Sequence, residues 1–203
     1  YLGEIAFDEN KTSEALANYQ KGWTTFPDYA YNKVGEGKVL LKTDKSTAQK
    51  AFDAAIKINK KEASVYVAIA KAYSMNGMEA EAQAALDNAK KYNANDPAIY
   101  LYEGDLLISK DKPGDAAGRY EQAIHFDPAC KEAYIKYANV YQGVTPTLSI
   151  EMLQKVISNY PDYLPAYCYL GNIYSLQGNY PKAVAAYKTY MAGGLYSTDN
   201  LVH

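Results

Sequence analysis

Residues 164–191 read LPAYCYLGNIYSLQGNYPKAVAAYKTYM. Tyr167, Leu170, Gly171 and Tyr174 fall three, one and three residues apart, Gly178 interrupts the run, and Ala183 and Tyr187 follow four apart. Spacings of three and four put side chains on one face of an α-helix, and a glycine between two such runs marks a turn. The stretch therefore predicts two short amphipathic helices joined by a tight turn.

The pattern recurs along the chain. The small residue of the first helix returns as Gly3, Gly35, Ala70, Gly104, Ala138 and Gly171, and that of the second as Ala15, Ala48, Ala82, Ala116, Ser149 and Ala183. The bulky residue that follows is Tyr19, Phe52, Leu86, Tyr120, Leu153 and Tyr187. Each series steps by about 34 residues. Small residues let helices approach closely while bulky neighbours fill the grooves beside them. One such hairpin cannot bury its apolar face alone, whereas stacked hairpins share a continuous core.

A large aromatic, then Leu-Gly and Tyr at these spacings, then Ala-x3-aromatic and a closing proline, resembles the tetratricopeptide repeat. Tyr167 takes the place of the usual Trp. Proline closes three units at Pro27, Pro128 and Pro161, with Lys60 and Ala94 standing in elsewhere. The resemblance implies an all-α, right-handed superhelical solenoid of antiparallel helix pairs. About six repeats are expected, the first truncated: 1–27, 28–61, 62–96, 97–128, 129–161 and 162–194. Residues 195–203 are expected to be a tail or the start of a further helix. The chain starts at Tyr1 inside a repeat, so a segment of a longer protein is expected.

Local signals add detail. Thr12 or Ser13 is expected to cap a helix, Pro146 to end one, and the Gly193–Gly194 pair to stop the last. Trp23 is expected to pack rather than to meet a ligand. Lys42, Lys45, Lys50, Lys57, Lys60 and Lys61 cluster in the second unit and read as a solvated face. Asn10-Lys11-Thr12 is a glycosylation-type triplet, read as chance. Cys130 and Cys168 lie in different repeats and read as ordinary small side chains.

A net charge of −2 argues against a nucleic-acid partner, which normally meets a basic stripe. The cations are 20 lysines and one arginine, Arg119, whereas forked recognition of phosphate or carboxylate relies on Arg. No apolar run reaches the 18 or so residues of a membrane helix. No nucleophile with a base at useful spacing, no Gly-rich phosphate loop and no metal-ligand spacing is present, and the two histidines, His125 and His203, give little acid–base capacity. No enzymatic activity and no cofactor are expected.

The remaining candidate is a binding surface. In the family that this chain resembles, the fifth, sixth and ninth positions of each first helix face a concave groove that takes extended peptides or partner helices. The resemblance carries these roles to Glu36, Val67, Lys71, Leu101, Tyr102, Asp105, Ile135, Lys136, Asn139, Cys168, Tyr169 and Asn172. An apolar strip would lie beside a polar ladder formed by Glu4 and the other ninth-position residues. Tyr29, Tyr102, Tyr163 and Tyr169 fall outside the core spacing and are further candidates for partner contact. The Lys/Asn clamp that binds chaperone C-termini is not matched.

The expected function is thus a non-catalytic protein-interaction scaffold that binds a protein or peptide. The alternatives are a substrate-recruiting arm of a larger enzyme and a self-assembling module, and a monomer is the expected state. The Phe26-Pro27-Asp28 and Tyr160-Pro161-Asp162 junctions resemble those of bacterial tetratricopeptide proteins of the cell envelope. That resemblance implies export, with the cytoplasm as the alternative.

Overall fold

The computed structural model describes residues 2–199, with side chains described through Gly193. Among the described residues all regular structure is helical. Six successive hairpins are formed by α1 (Leu2–Asp8) and α2 (Thr12–Thr25), α3 (Ala30–Leu40) and α4 (Lys45–Ile58), α5 (Ala63–Ser74) and α6 (Glu79–Tyr92), α7 (Pro97–Ser109) and α8 (Pro113–Phe126), α9 (Lys131–Tyr141) and α10 (Pro146–Asn159), and α11 (Leu164–Leu176) and α12 (Tyr180–Asp199). The chain is an all-α helical-repeat solenoid, and it packs as two compact units, residues 1–102 and 103–203.

Within the first unit, first helices pack on first helices (α1 on α3, α3 on α5), and each second helix packs on the next first helix (α2 on α3, α4 on α5). The second unit repeats the scheme, with α9 on α11, α8 on α9 and α10 on α11. Its core gathers Tyr134, Ile135, Leu153, Val156, Leu170, Ile173 and Tyr174. The first unit opens on a smaller cluster of Ala6, Ala15, Tyr19 and Val39, flanked by Phe7 and Leu16.

Four of the six hairpin turns share one backbone device. Asn10, Gly77, Asp111 and Gly178 adopt left-handed φ values of 59°, 70°, 56° and 71°. The next residue then donates its N–H back across the helix end: Lys11 to Ala6, Met78 to Tyr73, Lys112 to Leu107 and Asn179 to Tyr174, at 2.8–3.0 Å. This closes the helix C-terminus and satisfies carbonyls that would otherwise lack partners. The hairpins of the second and fifth repeats turn differently, through Asp44 N–H to Leu40 and Thr145 N–H to Tyr141.

Three local expectations are corrected. Thr12 and Ser13 do not cap α2. Lys11 holds the cap position and no side chain bonds there. A side-chain N-cap is found instead at Asp44 on α4, whose carboxylate accepts from the Thr47 backbone N–H at 3.0 Å and from its hydroxyl at 2.6 Å, and Asp96 and Asn179 likewise accept from the first turns of α7 and α12. Pro146 does not end a helix but opens α10 at its first turn, where a missing N–H costs nothing. Gly193 and Gly194 do not stop α12, which runs on to Asp199. Gly193 instead sits against Leu164, where a Cβ would lie 2.3 Å from a Leu164 methyl. Residues 200–203, including His203, lie outside the described residues.

Candidate partner-binding face

The face is built from one repeated contact. In the first, fourth and sixth hairpins the small residue of the first helix is glycine, and the tyrosine of the second helix lies against it. A Cβ at Gly3, Gly104 or Gly171 would fall 2.6, 2.3 and 2.6 Å from the ring of Tyr19, Tyr120 and Tyr187 respectively. The ring therefore crosses the first helix where a side chain is missing. Its hydroxyl emerges at the next residue, the ninth position, and donates to it: Tyr19 to Glu4 at 2.5 Å, Tyr120 to Asp105 at 3.0 Å, and Tyr187 to Asn172 at 2.7 Å. Tyr19 also lies against Gly35 of the following hairpin, while Phe52 meets Gly37.

In both units a lysine of the next first helix completes a triad. Lys38 Nζ lies 2.6 Å from Glu4 Oε2, and Lys136 Nζ lies 2.8 Å from Asp105 Oδ1. Lys38 is buried and its ammonium sits 4.1 Å from the centre of the Phe7 ring, an arrangement that compensates part of its desolvation. Lys136 is half-buried and also faces Glu132 at 3.5 Å. Glu4 and Asp105 thus each tie a tyrosine of their own hairpin to a lysine of the next.

The electrostatics follow. Burial pushes the pKa of Glu4 up, but hydrogen bonds from Lys38 and Tyr19 outweigh it and hold the carboxyl below its ordinary value. Burial works to lower the pKa of Lys136, and Asp105 and Glu132 more than reverse this. Tyr120 and Tyr19 are pushed up first by burial and then by the carboxylates they face, so both remain protonated donors at neutral pH.

In the second unit the triad borders a hollow of about 520 Å3, lined by Asp105 and Ile108 of α7, Pro113 and Tyr120 of α8, and Lys136, Asn139 and Val140 of α9. Both donors to Asp105 converge on Oδ1, and Oδ2 meets no donor of the described residues. Asn139 is exposed, and its Oδ1 accepts from Gln142 Nε2 at 2.8 Å. Its amide N–H groups remain available to donate. Ile108 is exposed and Val140 half-buried, so an acceptor, a donor and apolar surface share one hollow.

The other expected site residues divide by burial. Val67, Leu101 and Ile135 are 2%, 7% and 6% exposed. The expected apolar strip therefore lies inside the helix packing and offers no surface. Tyr102 is likewise buried, with its hydroxyl on the Ala70 carbonyl at 3.3 Å, so it is core and not a partner contact. Glu36 is buried, paired with Lys33 at 2.5 Å and accepting from Gln20. Lys71 and Asn172 are exposed, and Cys168 and Tyr169 are half-buried. Tyr29 is exposed, and Tyr163 lies under the Lys131 ammonium at 5.2 Å. Trp23 is half-buried beneath Lys33 at 4.8 Å.

Sequence reasoning missed the triads. Their signal was present: the ninth-position residue and the tyrosine lie fifteen residues apart in each of the three hairpins. The lysine was less legible, because Lys38 and Lys136 occupy different positions in their helices. Among the described residues no group of three or more His, Cys, Asp or Glu side chains is placed to hold a metal ion, and no helix is long and apolar enough to cross a membrane.

Residues 152–185 match the family model described as tetratricopeptide repeat. No curated protein sequence matches the chain. Similar solved structures include MamA protein, at 20% identity over 86% of this chain and 96% of that one, with a TM-score of 0.57. YrrB, a TPR protein with an unusual peptide-binding site, aligns at 16% identity over 86% and 91%, with a TM-score of 0.53. PilW, a widely conserved type IV pilus biogenesis factor, aligns at 17% over 81% and 77%, with a TM-score of 0.59. At these identities the likeness is one of fold, and the fold is that of the tetratricopeptide repeat.

Proposed function

We propose that this chain is a non-catalytic protein-interaction scaffold, and that it holds an extended polypeptide segment on the polar face of its first helices, at the hollow around Asp105. The observation that carries this reading is the state of the Asp105 carboxylate. One oxygen is anchored by Tyr120 and Lys136, and the other is directed at no protein donor. An extended peptide presents backbone N–H and C=O groups in alternation. Asp105 Oδ2 is an acceptor for the first and the Asn139 amide a donor for the second, while Ile108 and Val140 take an apolar side chain. Because Asp105 is already fixed, binding orders little that is not ordered beforehand. The solved structure of YrrB, with its peptide-binding site, supports the class of function. Lys71, Cys168, Tyr169 and Asn172 are proposed as secondary contacts.

The test is capture of partners by the wild-type chain beside the double variant Asp105→Ala/Asn139→Ala. Loss of a defined partner with retained helicity is the expected result. If the same partners are retained by the variant, the Asp105 hollow is not the site.

A further inference from the structure

The segment from Lys42 to Lys61 carries six lysines against two aspartates, a net of +4 in a chain of net −2, so the remaining residues sum to −6. All six lysines, Lys42, Lys45, Lys50, Lys57, Lys60 and Lys61, are exposed. None forms an ion pair with a described residue, although the protein pairs Lys11, Lys33, Lys38 and Lys136 elsewhere. The two acids in the segment are otherwise engaged: Asp44 caps α4, and Asp53 accepts from Gln49 Nε2 at 2.9 Å.

Two of the six sit where the helix dipole disfavours them, whereas Lys57 in the last turn of α4 and Lys60 and Lys61 beyond it lie at the end that the dipole favours. Lys45 is the first residue of α4 and Lys42 precedes it, at the end where the helix dipole disfavours positive charge. Lys50 and Lys57, seven residues apart, share a face of the helix. Lys60 and Lys61 follow its C-terminus. The cations thus extend along α4, whose fourteen residues span roughly 21 Å. No large apolar side chain of α4 is exposed, so a lipid bilayer would find charge but nothing to insert.

We infer that this row is a second docking surface, separate from the Asp105 hollow, that binds an acidic polypeptide segment through carboxylate side chains. Lysines suit such a partner because each is a mobile point charge that needs no fixed geometry. The attraction is long-ranged, falls with salt and sets encounter rate more than lifetime.

The experiment uses a fluorescein-labelled dodecaglutamate peptide and fluorescence anisotropy at about 50 mM and about 200 mM salt. The variants are Lys50→Glu/Lys57→Glu and, as a control of equal charge change, Lys110→Glu/Lys112→Glu in the α7–α8 turn. Vesicles containing phosphatidylserine form a parallel arm. The expected result is salt-sensitive peptide binding, weakened roughly tenfold or more by the α4 variant and much less by the control. All four substituted lysines are exposed, so circular dichroism should show all variants folded. Absence of peptide binding at low salt overturns the inference. So does equal weakening by both variants, which would reduce the effect to net charge. Binding to vesicles without binding to the peptide overturns it in favour of a lipid surface.

Discussion

The glycine–tyrosine crossing makes a prediction whose sign is opposite to the usual one. Gly104 lies within α7, and replacing a mid-helix glycine by alanine ordinarily stabilises by about 1 kcal/mol. Here the new methyl carbon would lie 2.3 Å from Tyr120 Cε1 and 2.8 and 2.9 Å from two further ring carbons. Tyr120 is 2% exposed, so any shift of its ring, even toward the hollow that it lines, gives up packing contacts. Overpacking of this kind costs about 1–3 kcal/mol, and a displaced ring also loses its hydrogen bond to the Asp105 carboxylate, about 1.5–3 kcal/mol. Gly104→Ala is therefore expected to destabilise by about 1.5–5 kcal/mol after the helix-propensity gain is subtracted. The chain itself supplies the rescue. Where the bulky residue is Leu86 or Leu153, the small residue is Ala70 or Ala138. Tyr120→Leu alone should leave a void and cost about 2 kcal/mol. The double variant Gly104→Ala/Tyr120→Leu should recover at least about 1 kcal/mol relative to the sum of the singles. Urea unfolding followed by circular dichroism gives the stabilities, and hydrogen exchange of α7 and α8 amides gives the local response. A neutral or stabilising Gly104→Ala, or an additive cycle, would refute the packing argument.

Two further outcomes follow from the caps and charges. Asp44→Ala should cost about 1 kcal/mol by removing the α4 cap, whereas Thr12→Ala should cost little, because Thr12 caps nothing; thermal unfolding of the two variants compares them directly. The folded pKa of Glu4 is lowered, so its contribution is present in full above its ordinary value of 4.5 and is lost as pH falls through the lower folded value. The pKa of Lys136 is raised, so its contribution is present below its ordinary value of 10.5 and is lost as pH rises through the higher folded value. The stability gap between wild type and Glu4→Gln should accordingly close in acid, and the gap to Lys136→Met should close in alkali, in urea midpoints measured across pH.

The repeat was legible because its signal is redundant. A position such as Ala183 is small for a packing reason, and five partners at the same phase say the same thing. Gly178 likewise marked its turn. Asn10 and Asp111 do the same work without being glycine, because a short polar side chain tolerates the left-handed conformation. The candidate face was legible only in part, since family positions name a helix face but not how deeply each residue sits. Val67, Leu101 and Ile135 were expected at a surface, yet they are buried. Tyr102 was expected to meet a partner, but its hydroxyl finds the Ala70 carbonyl thirty-two residues earlier, a pairing that no local spacing encodes. At Glu4, Asp105 and Asn172 the ninth-position side chain instead meets a tyrosine fifteen residues on in the same hairpin.

The two triads are alike in composition but not in what they leave free. Glu4 uses Oε1 for Tyr19 and Oε2 for Lys38, so each oxygen already carries a strong donor. A ligand N–H there would have to displace a charged partner or share an acceptor with it. Asp105 takes both its donors on Oδ1, and its second oxygen keeps full accepting capacity. The same pairing of tyrosine, carboxylate and lysine therefore serves as a tie between hairpins in the first unit and as a tie plus an open acceptor in the second. This asymmetry is what favours the Asp105 hollow over its counterpart at Glu4 as the place where a partner backbone is held. It also explains why Asp105→Ala should affect binding and stability together, whereas Asn139→Ala, which ties nothing beyond Gln142, should affect binding alone.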